Sequence, residues 1–180
     1  LLPHEQDVCP SDTDGVDLVV HRGLAARPED LLAALAATGT PVCNPLEGIV
    51  RLRDRAALHA AVEQTGVPAP SGAVRHTWAE VLAEEQRRPV VVKAVTGPGR
   101  GQAVLPSPLP GGAPMEGPYL VEELVEHDGT DRKLYVAGDR VSGLLKPSTL
   151  TSEHTTDGEP FEVGTALADL ARATTSRLGL

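Results

Sequence analysis

The stretch from Tyr119 to Ser148, YLVEELVEHDGTDRKLYVAGDRVSGLLKPS, constrains the fold of this chain more than any other. It opens with a short apolar run ending in two acids, Glu122 and Glu123, and breaks at Asp128-Gly129. Two apolar-rich runs follow, Lys133 to Val136 and Val141 to Leu145, separated by Ala137-Gly138-Asp139-Arg140. β-rich runs on either side of a Gly-Asp turn predict an antiparallel hairpin. Asp131, Arg132 and Lys133 cluster at its near end and Lys146 stands at the far end. Charges at strand ends, beside a turn that lets backbone approach a ligand, mark a site rather than a core.

A chain of 180 residues is long enough to bury a real core. Aromatics are only 2% of it, so that core must be built from Val, Leu and Ala. With 16 basic against 25 acidic residues the net charge is −9, which argues against a general nucleic-acid or anionic-membrane binder, since both need a basic face. The two cysteines, Cys9 and Cys43, fit no zinc spacing and make no disulfide framework. A reducing cytoplasm is the expected compartment. No apolar run approaches the roughly 18 residues that span a bilayer. The chain begins Leu-Leu-Pro, so it is expected to be a piece of a longer protein.

Taken in order, Asp17 to His21 reads as a buried strand. A helix starts at Pro28-Glu29-Asp30 and runs to Thr38, and Pro41 to Asn44 is a second strand. This strand–helix–strand order predicts a parallel βαβ unit. Asp54 caps a helix reaching about Thr65, ended by Gly66 and the prolines at 68 and 70. Ser71 to Arg75 is a strand, and Thr77-Trp-Ala-Glu80 has the form of a capping box opening a helix that ends before Pro89. Val90 to Lys93 and Gln102 to Leu105 are strands around a glycine loop. Residues 106–118, rich in Pro and Gly, read as a surface loop or linker, and 149–160 as a polar, mobile segment. A last helix spans Gly164 to Leu178, with Leu167, Leu170 and Leu178 as its apolar stripe.

Lys93, at the end of an apolar strand, can present one ammonium to phosphate oxygens as a point charge. The loop after it, with Gly97, Gly99 and Gly101, lets backbone N–H groups come close to phosphate. It is neither a P-loop, lacking the Gly-Lys-Ser/Thr ending, nor the dinucleotide fingerprint. Alone it also fits a flexible hairpin end. The segment Glu122 to Val125 can read an adenine with backbone groups and the Glu122 carboxylate, or be a strand with solvated acids. Lys133 and Lys146 also fit ordinary exposed lysines, and Arg51, Arg53 and Arg55 one solvated helix face. His127 is a base, a hydrogen bonder or neither, and the other histidines show no metal-ligand spacing. The stretch Tyr119 to Ser148 and the run Pro89 to Lys93 with its loop to Gly101 are read together as two halves of one nucleotide clamp.

The order of these signals resembles the ATP-grasp superfamily. NPLEGIVRLRDR, Asn44 to Arg55, looks like the segment leading into the ATP-grasp lobes. VVVKAVTGPGRG looks like the first phosphate lysine and its loop. EELVEHDGTDRKLYVAGDRV followed by KPS is most similar to the inositol trisphosphate kinases and to the glutamate ligases that modify ribosomal proteins. The resemblance covers about residues 15–150 and implies an α/β fold: a partial βαβ domain (1–45), one ATP-grasp lobe with a glycine-rich lid (46–115), and a second, truncated lobe (116–180). It further implies that Arg55 and Lys93 hold ATP phosphates under a lid of Gly97, Gly99 and Gly101. Glu122, Glu123, Leu124 and Val125 would line the adenine, Glu123 and Leu124 by backbone groups. Lys133 and Ser148 would complete the nucleotide or substrate contacts, with His127 and Lys146 toward the substrate.

The implied activity is ATP- and magnesium-dependent joining of a carboxylate to an amine through an acyl phosphate. The acceptor would be a small molecule or a peptide. Phosphorylation of a hydroxyl is the alternative, and a non-catalytic nucleotide-binding or interaction domain a third. The family's magnesium ligands lie beyond the helix that ends at Leu180 and have no counterpart here. The kinases' substrate histidine is also missing, its place taken by Gly101-Gln102-Ala103, which counts against an inositol phosphate.

Overall fold

The computed structural model describes residues 15–20, 37–45, 48, 52, 54–95, 104–151 and 158–180. Its contacts divide the chain into two compact units, Leu1–Leu52 with Gly179–Leu180, and Arg53–Leu178. In the first, β1 (Val19–Val20) pairs parallel with β2 (Val42–Cys43), Val19 opposite Val42, as the strand–helix–strand order requires. The burial expected of the first strand is corrected: Leu18 and Val20 are exposed. Most of the helix expected over 28–38 lies outside the described residues. Residues 37 and 38 are helical.

In the second unit, α1 (Arg55–Thr65) starts where Asp54 Oδ1 accepts from the N–H groups of Ala56 and Ala57, both at 2.9 Å. It stops at Gly66, whose φ of 71° is the left-handed conformation glycine adopts without a Cβ penalty. β3 (Gly72–Arg75) follows, then α2 (Trp78–Glu85). The capping box at its start is complete: Thr77 Oγ1 accepts from Glu80 N–H, and the Glu80 carboxylate accepts from Thr77 N–H at 3.0 Å. β4 (Val90–Ala94), β5 (Val104–Pro106) and β6 (Tyr119–Glu123) complete an antiparallel sheet of order β3-β6-β4-β5.

Register separates the two faces of this sheet. Val92 stands opposite Val121 and Val91 opposite Glu122. Side chains alternate along a strand, so Val90, Val92, Tyr119 and Val121 share one face, while Val91, Lys93, Leu120 and Glu122 share the other. The first face packs on Trp78 and Val81 of α2 to form the core cluster. Each fully buried valine contributes roughly 1.5–3 kcal/mol. The edge-to-face pair Trp78–Tyr119, with ring centroids 5.4 Å apart, adds about 0.5–1.5 kcal/mol.

Residues 106–118 are more than the surface loop expected from their composition. Leu109 and Met115 pack against the core cluster. Trp78 Nε1 donates to the Pro110 carbonyl at 3.1 Å, Tyr119 Oη to the Met115 carbonyl at 2.8 Å, and Leu109 N–H to Glu85 Oε1 at 2.7 Å. Both polar tips of the aromatic pair are satisfied by this segment, which therefore lies docked on the core.

The hairpin forms as expected and is longer. β7 (Thr130–Ala137) and β8 (Arg140–Pro147) pair through Ala137 opposite Arg140, leaving a two-residue turn at Gly138-Asp139. Gly138 has φ of 57°, the positive value a primed hairpin turn needs at its first central position. A third strand, β9 (Glu159–Phe161), pairs with β8 at the end of the segment 149–160 expected to be mobile. It adds there because Gly143 is bare: a Cβ on it would come within 2.5 Å of the Phe161 ring. α3 (Thr165–Arg177) lies against β7 and β8, and Arg172 Nη1 donates to Asp139 O at 2.9 Å. Of its expected leucine stripe, Leu178 is buried and Leu167 half-buried, while Leu170 is exposed; Ala168 is the other buried residue, its small side chain letting the helix approach the sheet.

Candidate functional site

The face of the four-stranded sheet opposite the core carries charge. Lys93 Nζ, on β4, pairs with Glu122 Oε2 on β6. The other oxygen, Oε1, meets His59 Nδ1 of α1 at 3.1 Å. Glu122 is buried at 7% relative exposure, and a buried carboxylate persists only when paired and hydrogen-bonded. His59 Nε2 is buried without a hydrogen-bond partner; Glu63 Oε1 lies 3.3 Å away but out of line. The result is a row, His59–Glu122–Lys93, crossing from helix to sheet, with only the lysine end partly open to solvent.

Arg55 fastens the start of α1 to the end of β4. Its Nη1 donates to Ala94 O at 3.0 Å and its backbone N–H to Val95 O at 3.1 Å. The fold thus brings together Arg55, Lys93 and Glu122, three of the residues singled out in the sequence. Gly97, Gly99 and Gly101 lie outside the described residues.

At the end of β6 the backbone expected to read adenine is largely committed. Glu123 N–H donates to Ser71 O at 2.9 Å and Leu124 N–H to Pro89 O at 3.0 Å, which extends the sheet. A base at this edge would have to use carbonyls or the N–H of Val125, whose residue is exposed. The Glu123 side chain turns away to Ser71, accepting from its N–H at 3.2 Å and its hydroxyl at 2.9 Å, with Arg88 at 3.3 Å. The Ser71 N–H, then its hydroxyl, then Arg88 hold the Glu123 carboxyl below the usual range.

A second polar group gathers at the open end of the hairpin. Lys133 Nζ donates to Asp131 Oδ2 at 2.8 Å, and Asp131 stands opposite Lys146 across the strands. Partial burial pushes the Asp131 carboxyl up, but Lys133, with Ser148 and the Thr149 N–H, outweighs it and brings the net shift down. Ser148 is buried, and its N–H donates to Gly129 O at 2.8 Å, closing the hairpin's base. His127 is exposed, and its Nδ1 accepts from Gly129 N–H at 3.0 Å, which leaves Nε2 as the ring nitrogen that can face a ligand. Asp128 ties the turn down: the Thr130 hydroxyl, then the Thr130 N–H and Arg132, keep its carboxyl below the usual range.

Sequence reasoning missed His59. Its signal is a polar residue one turn after Arg55 on the same helix face, which neither metal-ligand spacing nor a Ser/His/Asp or Cys/His arrangement picks out. Among the described residues no group of three or more His, Cys, Asp or Glu could hold a metal ion, and no helix is long and apolar enough to cross a membrane.

No protein-family model matches the sequence, and no curated protein matches it. Solved structures do. A RimK-domain ATP-grasp protein from Sphaerobacter thermophilus shares 22% identity at a TM-score of 0.67, over 97% of this chain and 70% of that one. The ATP-grasp ligase PsnB, complexed with a minimal precursor, Mg and ADP, shares 18% at 0.62, over 91% of this chain and 62% of its own. The macrocyclase MdnC from Microcystis aeruginosa, bound with precursor peptide MdnA, shares 13% at 0.63, over 98% and 65%. The chain therefore spans about two thirds of the length of these proteins. At such identities the likeness speaks for architecture, and the architecture is the ATP-grasp fold, present over part of its length.

Proposed function

We propose that this chain is the nucleotide-binding part of an ATP-dependent carboxylate–amine ligase. The observation that carries the reading is the Lys93–Glu122 pair, a partly exposed ammonium held on the polar face of a sheet by a buried acid. An ammonium so placed can transfer to a phosphate oxygen without rebuilding the core on the other face. The ligase and macrocyclase among the matching structures support the reaction class, and their precursor peptides support a peptide acceptor.

In this reading Arg55 and Lys93 meet the phosphates, and Gly97, Gly99 and Gly101 cover them. Glu122, Glu123, Leu124 and Val125 border the adenine, with the Val125 N–H in place of those of Glu123 and Leu124. Lys133 and Ser148, with His127 and Lys146, face the acceptor from the second lobe. A substrate carboxylate attacks the γ-phosphate and ADP leaves; an amine then attacks the acyl carbon and phosphate leaves, forming an amide. Magnesium, when bound, would neutralise phosphate charge, and the described residues offer no ligand set for it.

The test is thermal unfolding of the 180-residue chain with and without ATP, beside Lys93→Ala. Ligand at 100 times its Kd stabilises by roughly 2.7 kcal/mol. For a chain of this size that raises Tm by about 5–10 °C. A shift lost in Lys93→Ala supports the reading. No shift in the unaltered chain overturns it.

A further inference from the structure

Nucleotide binding at Lys93 leaves a charge to account for. Glu122 is buried and its counter-charge is the Lys93 ammonium. If that ammonium moves onto a phosphate, as the proposed function requires, the carboxylate is left in a buried position without its cation. Among the described residues, His59 also touches it, at 3.1 Å from Oε1, and can become a cation. We propose that His59 is a positioning residue for the nucleotide site, taking up a proton when ATP binds and replacing Lys93 as the counter-charge of Glu122.

The surroundings of His59 fit this role. On β6 it faces Glu122, and on β4 Lys93 stands behind that carboxylate. On its own helix Glu63 Oε1 lies 3.3 Å from Nε2, the nitrogen that has no hydrogen-bond partner, and Arg55, one turn earlier, sends Nη1 to the Ala94 carbonyl at 3.0 Å. β3 offers only Gly72, which is close to the ring and uncharged. α3 sends Arg177 to the Thr65 carbonyl, at the C-terminal end of α1 and away from the ring. An imidazolium at this position would have a carboxylate near each nitrogen, Glu122 at 3.1 Å from Nδ1 and Glu63 at 3.3 Å from Nε2, the latter out of line and acting through its charge. While Lys93 remains on Glu122 the row needs no second cation. Once Lys93 has left, it does. Glu122 then keeps one oxygen on His59, and Oε2 is available to a donor on the base, with the carboxylate oriented from behind.

The sign follows from linkage. If binding takes up a proton, ATP binds more tightly at lower pH and loses affinity as pH rises across the imidazole range. The experiment is isothermal titration calorimetry of the full chain with ATP, in paired buffers of different ionisation enthalpy, between pH ~5.5 and ~8. The comparison is with His59→Asn, whose amide can still donate to Glu122 and cannot titrate. ATP's own protonation is common to both proteins and cancels in the difference. The wild-type chain should take up more protons than His59→Asn, by up to about one, and its log Kd should be steeper in pH by the same amount. Glu122→Gln, with His59 intact, should remove the extra proton as well, a result that packing alone would not produce. Equal uptake in wild type and His59→Asn overturns the inference while leaving ATP binding standing. No heat of binding in the wild-type chain overturns the proposed function and this inference together.

Discussion

The two faces of the four-stranded sheet are built from the same strands by opposite means. On one, Val90, Val92, Tyr119 and Val121 close against Trp78 and Val81 with no charge inside the cluster. On the other, one residue out of register, the same strands present Lys93 and Glu122 to a histidine. The first face can supply stability because every contact is apolar or satisfied; the second keeps a charge pair that one departing partner would unbalance. Stability and binding should therefore separate by face. Trp78→Ala is the strongest test. It removes the ring that packs on Tyr119 and the donor to Pro110, and should cost about 3–5 kcal/mol in urea unfolding. A loss below about 1 kcal/mol would mean that the 106–118 segment and the core cluster are not one unit.

On the charged face, Glu122→Ala leaves Lys93 and His59 without their shared acceptor and should cost about 1–3 kcal/mol. Lys93→Met with Glu122→Leu removes both charges from the row, and should return stability to within about 1 kcal/mol of the unaltered chain while abolishing the ATP shift. If the double variant instead unfolds like Trp78→Ala, this face is part of the core and the contrast fails.

What was legible in the sequence follows the same division. Short apolar runs bounded by turn and charged residues located Val90 to Lys93, the extended segment at Glu122 and the hairpin, because a strand that covers a core needs apolar side chains. Caps at Asp54 and Thr77 were readable because their partners are a few residues away. β9 was not, since Glu159-Pro160-Phe161 is an edge strand whose one strong contact, Phe161 over Gly143, is set by a residue far back in the chain. The His59–Glu122 contact was hidden for the same reason: it joins a helix to a strand 63 positions later, and no local pattern encodes it. Gly143→Val tests the edge-strand account. It drives a side chain into Phe161 and Val163, and should cost about 1–3 kcal/mol, less than Trp78→Ala, with the four-stranded sheet unaffected. Hydrogen exchange should show protection lost in β8 and β9 alone.

The smallest effect expected is at the rim of the closed face, where charge sits in solvent's reach. Glu84, on α2, accepts from Arg75 of β3 at 3.0 Å and from Arg88 at 3.2 Å, with Arg87 at 3.8 Å. The Arg75 hydrogen bond, then the Arg75, Arg88 and Arg87 charges, hold its carboxyl below the usual range against the burial that raises it. A carboxyl depressed on folding adds stability that is fully present above its unfolded pKa and is lost as pH falls through its folded value. Glu84→Gln should therefore lower stability by about 0.2–1 kcal/mol at neutral pH, as exposed ion pairs do, and by less as the solution is acidified. Urea midpoints of the two proteins should converge between pH ~5 and ~2, wild type falling toward the variant. If they stay parallel throughout, the arginines around Glu84 are solvated separately and the rim contributes nothing to holding α2 on the sheet. The apolar contacts of Trp78 and Val81 would then hold it alone.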